Sequence, residues 1–106
     1  MATGILGSAD IAANTDTTVY TVPASTFAVV TVSVANRSAS NRAVRVALAA
    51  TGTPGNAEYI EYDAALIGNG VLERGGIVID AAKKVVVRCD STDVSVVVYG
   101  IETSTV

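Results

Sequence analysis

The chain has 106 residues, half of them hydrophobic and 16% charged, and its formal net charge is −3 at pH 7. This length fits one domain with one hydrophobic core. The Lys and Arg residues number seven and are scattered, so the composition excludes the clustered basic patch with which proteins bind a phosphate backbone, and no nucleic acid partner is expected. Because the charged fraction is well below the roughly 25% of typical globular domains, we expect a partner to cover part of the surface.

The opening residues, 1–16, are predicted to form an extended N-terminal arm, flexible up to about Gly7. Such arms often become ordered only against a neighbouring molecule. The opening lacks the basic and long apolar segments of a secretion signal, and no apolar run is long enough for a membrane helix. We therefore expect synthesis in the cytoplasm and no membrane partner.

Period-two alternation recurs along the chain and predicts an all-β fold. The first clear strand covers residues 17–22, and the next, residues 27–35, turns its alternate valines to one face. After a polar connection at 36–41, residues 42–49 are predicted to return as the hairpin partner of that strand. Arg45 should point outward there and set the register, because a slip by one residue would bury its charge.

Turn-forming residues at 51–56 precede a short predicted strand at 58–62. Residues 71–79 are predicted to form the next strand. Gly75 and Gly76 interrupt this strand, and a β-bulge or a close backbone approach is expected there.

Residues 85–89 and 94–101 are predicted to form a last strand pair around the polar connection at 90–93. Both strands contain unbroken valine runs, centred on Val86 and Val97. A strand that is apolar on both faces is covered on both faces, so the outer cover should come from a loop, an arm or another subunit.

Seven or eight short antiparallel strands separated by Gly, Pro, Asn and Asp turns predict a single β-sandwich domain over residues 1–106. Jelly-roll and immunoglobulin-like topologies both fit this pattern, and periodicity does not choose between them. No internal repeat or linker indicates a second domain.

The candidates for general acid–base catalysis are Glu58 and Glu61, with Asp63 nearby. In a strand the two glutamates face opposite sides, so their spacing favours exposed edge charges that pair with Arg42 or Arg45. The chain has no histidine, and a serine nucleophile would need a lysine base, for which only Lys83 and Lys84 exist. No enzymatic activity is expected.

Metal and cofactor sites are also not expected. Cys89 is the only cysteine and lies in an apolar strand pattern, where a small core residue is favoured. Asp90 and Asp93 lack the glycine and the terminal glutamate of a calcium loop, so a polar turn is favoured. The glycine-containing turns match neither phosphate-loop nor dinucleotide spacing.

The four tyrosines, Tyr20, Tyr59, Tyr62 and Tyr99, could form an aromatic sugar-binding surface. Without a tryptophan, packing in the core or between subunits is favoured over sugar binding.

Several short strings, spread almost from end to end, carry a resemblance to a known class of proteins: Thr17-Thr18-Val19-Tyr20-Thr21-Val22-Pro23, Ala35-Asn36-Arg37, Gly52-Thr53-Pro54, Ala57-Glu58-Tyr59-Ile60-Glu61-Tyr62-Asp63 and Gly70-Val71-Leu72-Glu73-Arg74. The chain resembles small tailed-bacteriophage virion structural proteins. The resemblance implies a small β-sandwich bound to the particle, either as a capsid decoration (cement) protein or in the neck, tail or fibres. It implies localisation to the virion after synthesis in the host cytoplasm.

The resemblance and the composition together predict a non-enzymatic cement protein that stabilises contacts between capsid subunits. The expected partners are the major capsid protein or another virion protein and further copies of the chain, with a trimer favoured. The predicted assembly contacts are Ala2, Thr3, Gly4, Ile5, Leu6, Gly7, Val86 and Val97. The alternative is a tail, neck or fibre component or a host-surface glycan-binding module, which would use loop contacts at Arg37, Tyr59 and Tyr62.

Overall fold

A computed structural model describes residues 2–105, so the two ends of the predicted domain, Met1 and Val106, lie outside the described residues. The described part is all-β, with no helix. Its eight strands are β1 (Thr3–Ile11), β2 (Thr17–Thr21), β3 (Thr26–Asn36), β4 (Arg42–Ala49), β5 (Tyr59–Leu66), β6 (Val71–Ile79), β7 (Lys84–Cys89) and β8 (Val94–Ser104).

The strands form two four-stranded antiparallel sheets that pack together, which confirms the predicted β-sandwich. Sheet A has the strand order β1-β8-β3-β6, and sheet B has the order β2-β7-β4-β5. The first strand pairs with the last, the second with the seventh, the third with the sixth and the fourth with the fifth. This nested pairing is a long hairpin rolled into two sheets, so the topology is that of a jelly roll.

Two predicted strand pairs are wrong. Strands β3 and β4 lie in different sheets, and so do β7 and β8. Within the described chain, β4 and β5 are the one pair of consecutive strands that share a sheet. The alternation of hydrophobic and polar residues identified each strand and its buried face. It does not show whether two consecutive strands pair within one sheet or lie in the two facing sheets, because the alternation is the same in both cases. The connections at 37–41 and 90–93 therefore cross between sheets.

The core between the sheets consists mainly of valines at alternate strand positions. The predicted inward residues of β3 and β4 are buried at no more than 1% exposure: Val30, Val32, Val34, Val44 and Val46. Leu48 is half-buried against the same core, and Cys89 lies in it at 1% exposure, as predicted. Arg45 points away from the core and pairs with Asp63, which confirms its predicted orientation.

The predicted irregularity at Gly75 and Gly76 is confirmed as a bulge. The register between β3 and β6 moves from Val30 opposite Ile77 to Val32 opposite Arg74. Two glycines therefore lie opposite the single residue Thr31, and Gly76 has a φ of 68°, a left-handed conformation that glycine adopts without strain.

The outer side of Val86 is covered by the chain itself. Val86 is 2% exposed and packs with Ala47, Ala49 and Tyr59 on the outer face of sheet B. The loop at 50–58 leads into Tyr59, and within it the Glu58 carboxylate accepts hydrogen bonds from the backbone N–H groups of Ala50 and Gly55, at 3.0 and 2.8 Å. The cover therefore comes from Tyr59 of β5 in the same chain, and from none of the three sources that the sequence left open.

Residues 3–11, predicted as part of an arm, form an edge strand of the sandwich. Strand β1 pairs with β8 from Thr3 opposite Ile101 to Ile11 opposite Val94. The prediction of a flexible arm up to Gly7 is therefore wrong, because β8, from the far end of the same chain, supplies the hydrogen bonds that we expected from a neighbouring molecule.

The two open sides of the sandwich are closed differently. On one side, β1 and β2 approach so closely that a Cβ atom on Gly7 would lie 2.2 Å from the Val19 carbonyl oxygen. On the other side, Arg74 of β6 pairs with Glu61 of β5 at 3.1 Å. A backbone contact thus joins the sheets at one edge and an ion pair joins them at the other.

Substituting Gly7→Ala should destabilise the fold, because the added methyl group must push β1 away from β2. We expect the free energy of unfolding to fall by about 1–3 kcal/mol, the usual range for overpacking. Urea denaturation followed by circular dichroism measures this. Gly75→Ala is the control, since its Cβ would meet nothing closer than Thr31 Oγ1 at 3.4 Å. Equal stability of the Gly7→Ala variant and the parent would contradict the proposed close approach.

Candidate assembly surface

The outer face of sheet B is charged. Arg45 of β4 and Arg88 of β7 are direct cross-strand neighbours. Each has an aspartate partner: Arg45 Nε lies 2.7 Å from Asp63 Oδ1, and Arg88 Nη1 lies 3.7 Å from Asp16 Oδ1. The hydrogen bond to Arg45 holds the pKa of the Asp63 carboxyl below its usual value. This face has the character of an ordinary solvated surface.

The outer face of sheet A is apolar. Seven large hydrophobic side chains are exposed among the described residues, and five of them lie on this face: Ile5 at 74%, Val71 at 60%, Val78 at 66%, Tyr99 at 36% and Ile101 at 48%. Scattered exposed hydrophobic residues are normal on a protein surface, but a contiguous group is a sign of a binding site.

The strand register brings these residues together. Ile101 of β8 lies opposite Val29 of β3, and Val29 lies opposite Val78 of β6. Beside this central row, Ile5 is paired with Tyr99 on one side, and Phe27 of β3 lies on the other. We call these six residues, Ile5, Phe27, Val29, Val78, Tyr99 and Ile101, the apolar face.

Within the strands, charge on the outer side of sheet A is confined to one end; at the other end Asp80, the residue after β6, pairs with Lys83 at 3.2 Å. Asp10 of β1 pairs with Arg37 at 2.6 Å, and Glu73 of β6 accepts a hydrogen bond from the Tyr99 hydroxyl at 3.2 Å. Partial desolvation of the phenol and this hydrogen bond raise the pKa of Tyr99. The central row itself carries no charged side chain.

The structure separates the predicted arm contacts. Thr3 and Ile5 face outward beside Ile101 and Tyr99. Leu6 is half-buried against the core, and Gly7 faces β2. Gly4, paired with Gly100, offers no side chain.

The two predicted valines fall in different surroundings. Val97 lies half-buried on the outer side of sheet A, between Ser8 of β1 and Ser33 of β3. Val86 packs against Tyr59 on sheet B and, at 2% exposure, has almost no accessible surface to offer a partner.

The predicted loop contacts are on other parts of the molecule. Arg37 is held by Asp10, at the charged end of sheet A. Tyr59 and Tyr62 form an edge-to-face pair with ring centroids 4.9 Å apart, beside sheet B. Tyr62 is 59% exposed, and the Arg45 guanidinium lies 4.1 Å from its ring centroid.

The carboxylates considered for catalysis are engaged in structural contacts. Glu58 caps the loop at 50–58, and its hydrogen bonds from Gly55 and Ala50 lower its pKa. Glu61 pairs with Arg74, so the prediction that it pairs with Arg42 or Arg45 is wrong. Among residues 2–105, no group of three or more Cys, Asp or Glu side chains could hold a metal ion, and no helix could cross a membrane.

Comparisons of the chain with known protein families, with curated proteins and with solved structures found no match. The resemblance to phage virion proteins therefore stays a prediction.

The start of β1 is fastened to the end of β8 and to β2 through Glu102. The backbone N–H of Ala2 donates to Glu102 Oε1 at 3.0 Å, and the hydroxyl of Tyr20 donates to Glu102 Oε2 at 2.5 Å. The Tyr20 ring lies in the core at 7% exposure. Burial, and then the bond to Glu102, raise the pKa of Tyr20, while the same bond lowers the pKa of Glu102.

Substituting Tyr20→Phe should remove this link and reduce stability by about 1 kcal/mol at pH 7, the usual worth of one hydrogen bond. The lowered pKa of Glu102 means that the link stabilises the fold above the ordinary glutamate value of 4.5 and is lost as pH falls through the folded-state pKa. The raised pKa of Tyr20 means that the link is fully present below 10.0 and is lost as pH rises through the folded-state pKa.

Urea denaturation of the parent and of Tyr20→Phe, from acid to alkaline pH, measures the difference in their free energies of unfolding. This difference should be largest near neutral pH and should shrink in acid. Tyr99→Phe is the control, because that tyrosine bonds Glu73 at the exposed surface. A Tyr20→Phe difference that is the same in acid as at pH 7 would contradict the role of Glu102.

Proposed function

We propose that this chain is a non-enzymatic structural protein of a tailed-bacteriophage virion, acting as a capsid decoration protein that stabilises contacts between shell subunits. The observation that carries the proposal is the apolar face of sheet A. The chain has few charged residues, and on this face contiguous hydrophobic side chains are exposed to water, which is typical of a binding surface. The sequence resemblance supplies the particle to which it would bind.

A decoration protein would stabilise the shell by burying apolar surface where it contacts the shell subunits. Each Å² of apolar surface removed from water contributes roughly 25 cal/mol, and many copies acting together on one particle multiply weak contacts through avidity. A rigid sandwich with one apolar face suits this task, because the face is held in place by core valines on its other side and loses little freedom on binding. Jelly rolls occur in viral capsid proteins and in lectins, an analogy at the level of the fold.

The apolar face also changes how the arm hypothesis is tested. Deleting residues 2–7 would remove half of β1 and expose the edge of β8, so loss of binding would not distinguish a missing contact from a damaged fold. A point substitution at Ile5, an exposed residue of the edge strand, leaves the ladder hydrogen bonds in place.

Immunogold labelling of intact virions of the phage that carries this sequence tests the proposal. We expect gold over the head. Gold confined to the neck, tail or fibres would replace the decoration role with the alternative location, and particles without gold would refute the virion assignment.

Ile5→Glu should reduce the number of copies bound per particle at least about tenfold, because it places a charge in the apolar face. Quantitative gel analysis of particles incubated with the purified protein measures occupancy. The control is Ile67→Glu, since Ile67 is 69% exposed but lies outside the apolar face. Equal occupancy by the two variants would show that the face is not used.

A second candidate, glycan binding, is favoured by one observation. The Tyr62 ring is 59% exposed and lies beside an ordered arginine–aspartate pair, an arrangement in which a sugar ring can stack while its hydroxyls meet charged groups. If this role is the true one, the parent binds on a glycan array, Tyr62→Ala loses the signal, and Tyr99→Ala, on the other sheet, retains it. An array without signal for the parent would remove this candidate.

A further inference from the structure

We infer that the apolar face binds a second copy of this chain, with a two-fold axis running along the central row of Ile101, Val29 and Val78. The inference rests on the proposed function in taking this face as the surface through which copies assemble on the particle. The face joins two copies, and a variant that cannot pair is retained less on the particle because each copy is then held singly.

The first argument is the arrangement of side chains about the row. Ile101, Val29 and Val78 lie side by side across three strands. A two-fold axis along this line brings each of them against its own counterpart. It also turns the Tyr99 side of one copy onto the Phe27 side of the other, so that on both sides of the axis a Tyr99 ring lies one strand across from the partner's Phe27 ring.

The second argument is the position of the charges. Glu73 lies opposite Ser33, four residues along β3 from Val29, and Asp10 lies one row further out. Under the proposed axis, Glu73 of one copy faces the position four residues from the partner's central row in the opposite direction. At that position the partner's β3 has not yet begun and its β8 has already ended. Both carboxylates therefore lie beyond the ends of the partner's β3 and β8, and Glu73 keeps its hydrogen bond to the Tyr99 hydroxyl of its own copy. An axis parallel to the strands would instead cover them, at the cost of desolvating charge.

The third argument is the area. With strands about 4.8 Å apart and a repeat of about 6.8 Å between residues on one face, three rows across four strands cover about 400 Å² on each copy. The two copies together bury about twice this area in projection, and more in accessible surface. That is close to the roughly 1,000 Å² at which specific interfaces begin, so a weak and reversible dimer is expected.

A flat face that is complementary to itself pairs with one copy and is then saturated. This geometry favours a two-fold dimer over the trimer expected from the sequence.

The test uses opposite charges at the axis. Ile101→Glu alone and Ile101→Lys alone should each self-associate at least about tenfold more weakly than the parent, because each places two like charges face to face. An equimolar mixture of the two variants should recover the dimer, because a glutamate then meets a lysine. Sedimentation equilibrium over a concentration series measures association, and energy transfer between differently labelled variants detects the mixed dimer.

Two further variants keep the test decisive. Val78→Glu, on the edge strand β6, repeats the disruption where a charge is easily tolerated by the fold, and Ile67→Glu should dimerise like the parent. Circular dichroism confirms that each variant is folded.

A parent that stays monomeric, or a mixture that fails to recover the dimer while each variant is folded, would overturn the inference. The proposed function is judged separately by gold labelling: a monomer that labels virions refutes only the dimer, and a dimer absent from virions refutes only the virion role.

Discussion

The valine side chains that meet between the two sheets constrain every other feature of this domain. Because successive residues of a strand point to opposite faces, each buried valine determines that its neighbours face outward. In β7 this rule sends Val86 outward between two core valines, and Tyr59 of β5 packs against it. In β3 and β8 the same rule sends Val29 and Ile101 outward, and no segment of residues 2–105 lies over them. The two outer faces therefore differ in whether their hydrophobic residues are covered within the chain.

The strands and their buried sides could be predicted from the sequence, since both depend on residues that are close along the chain. Val30, Val32 and Val34 show the period of two directly, and the adjacent glycines Gly75 and Gly76 indicate where the bulge lies. The partner of each strand could not be predicted. Strands β3 and β4 were expected to be paired because they are consecutive, but β3 finds its neighbours in β6 and β8, and such distant pairings leave no local signal.

Most of the apolar face was missed for the same reason, although Ile5 was predicted as an assembly contact. Ile5, Val29, Val78 and Ile101 come from four separate strands, and each alone resembles an unremarkable hydrophobic residue in a strand. Only the register places them side by side. The valine runs at 85–87 and 96–98 did signal a shortage of polar cover, but at Val86 that shortage is met within the chain. The valine runs correctly indicated that the chain has uncovered hydrophobic surface, but the period of two could not show on which sheet that surface lies.

The nested pairing of strands also sets the order in which the fold can be completed. Strands β4 and β5 are close along the chain, whereas β1 must wait for β8, nearly the whole chain later, before its hydrogen bonds can form. Closing so long a loop is slow, and during synthesis from the N-terminus β1 remains unpaired until β8 has been made. Over that interval Ile5 and the bare edge of β1 are open to other chains. The polar residues of this strand, Thr3, Ser8 and Asp10, limit the misassembly that such exposure invites.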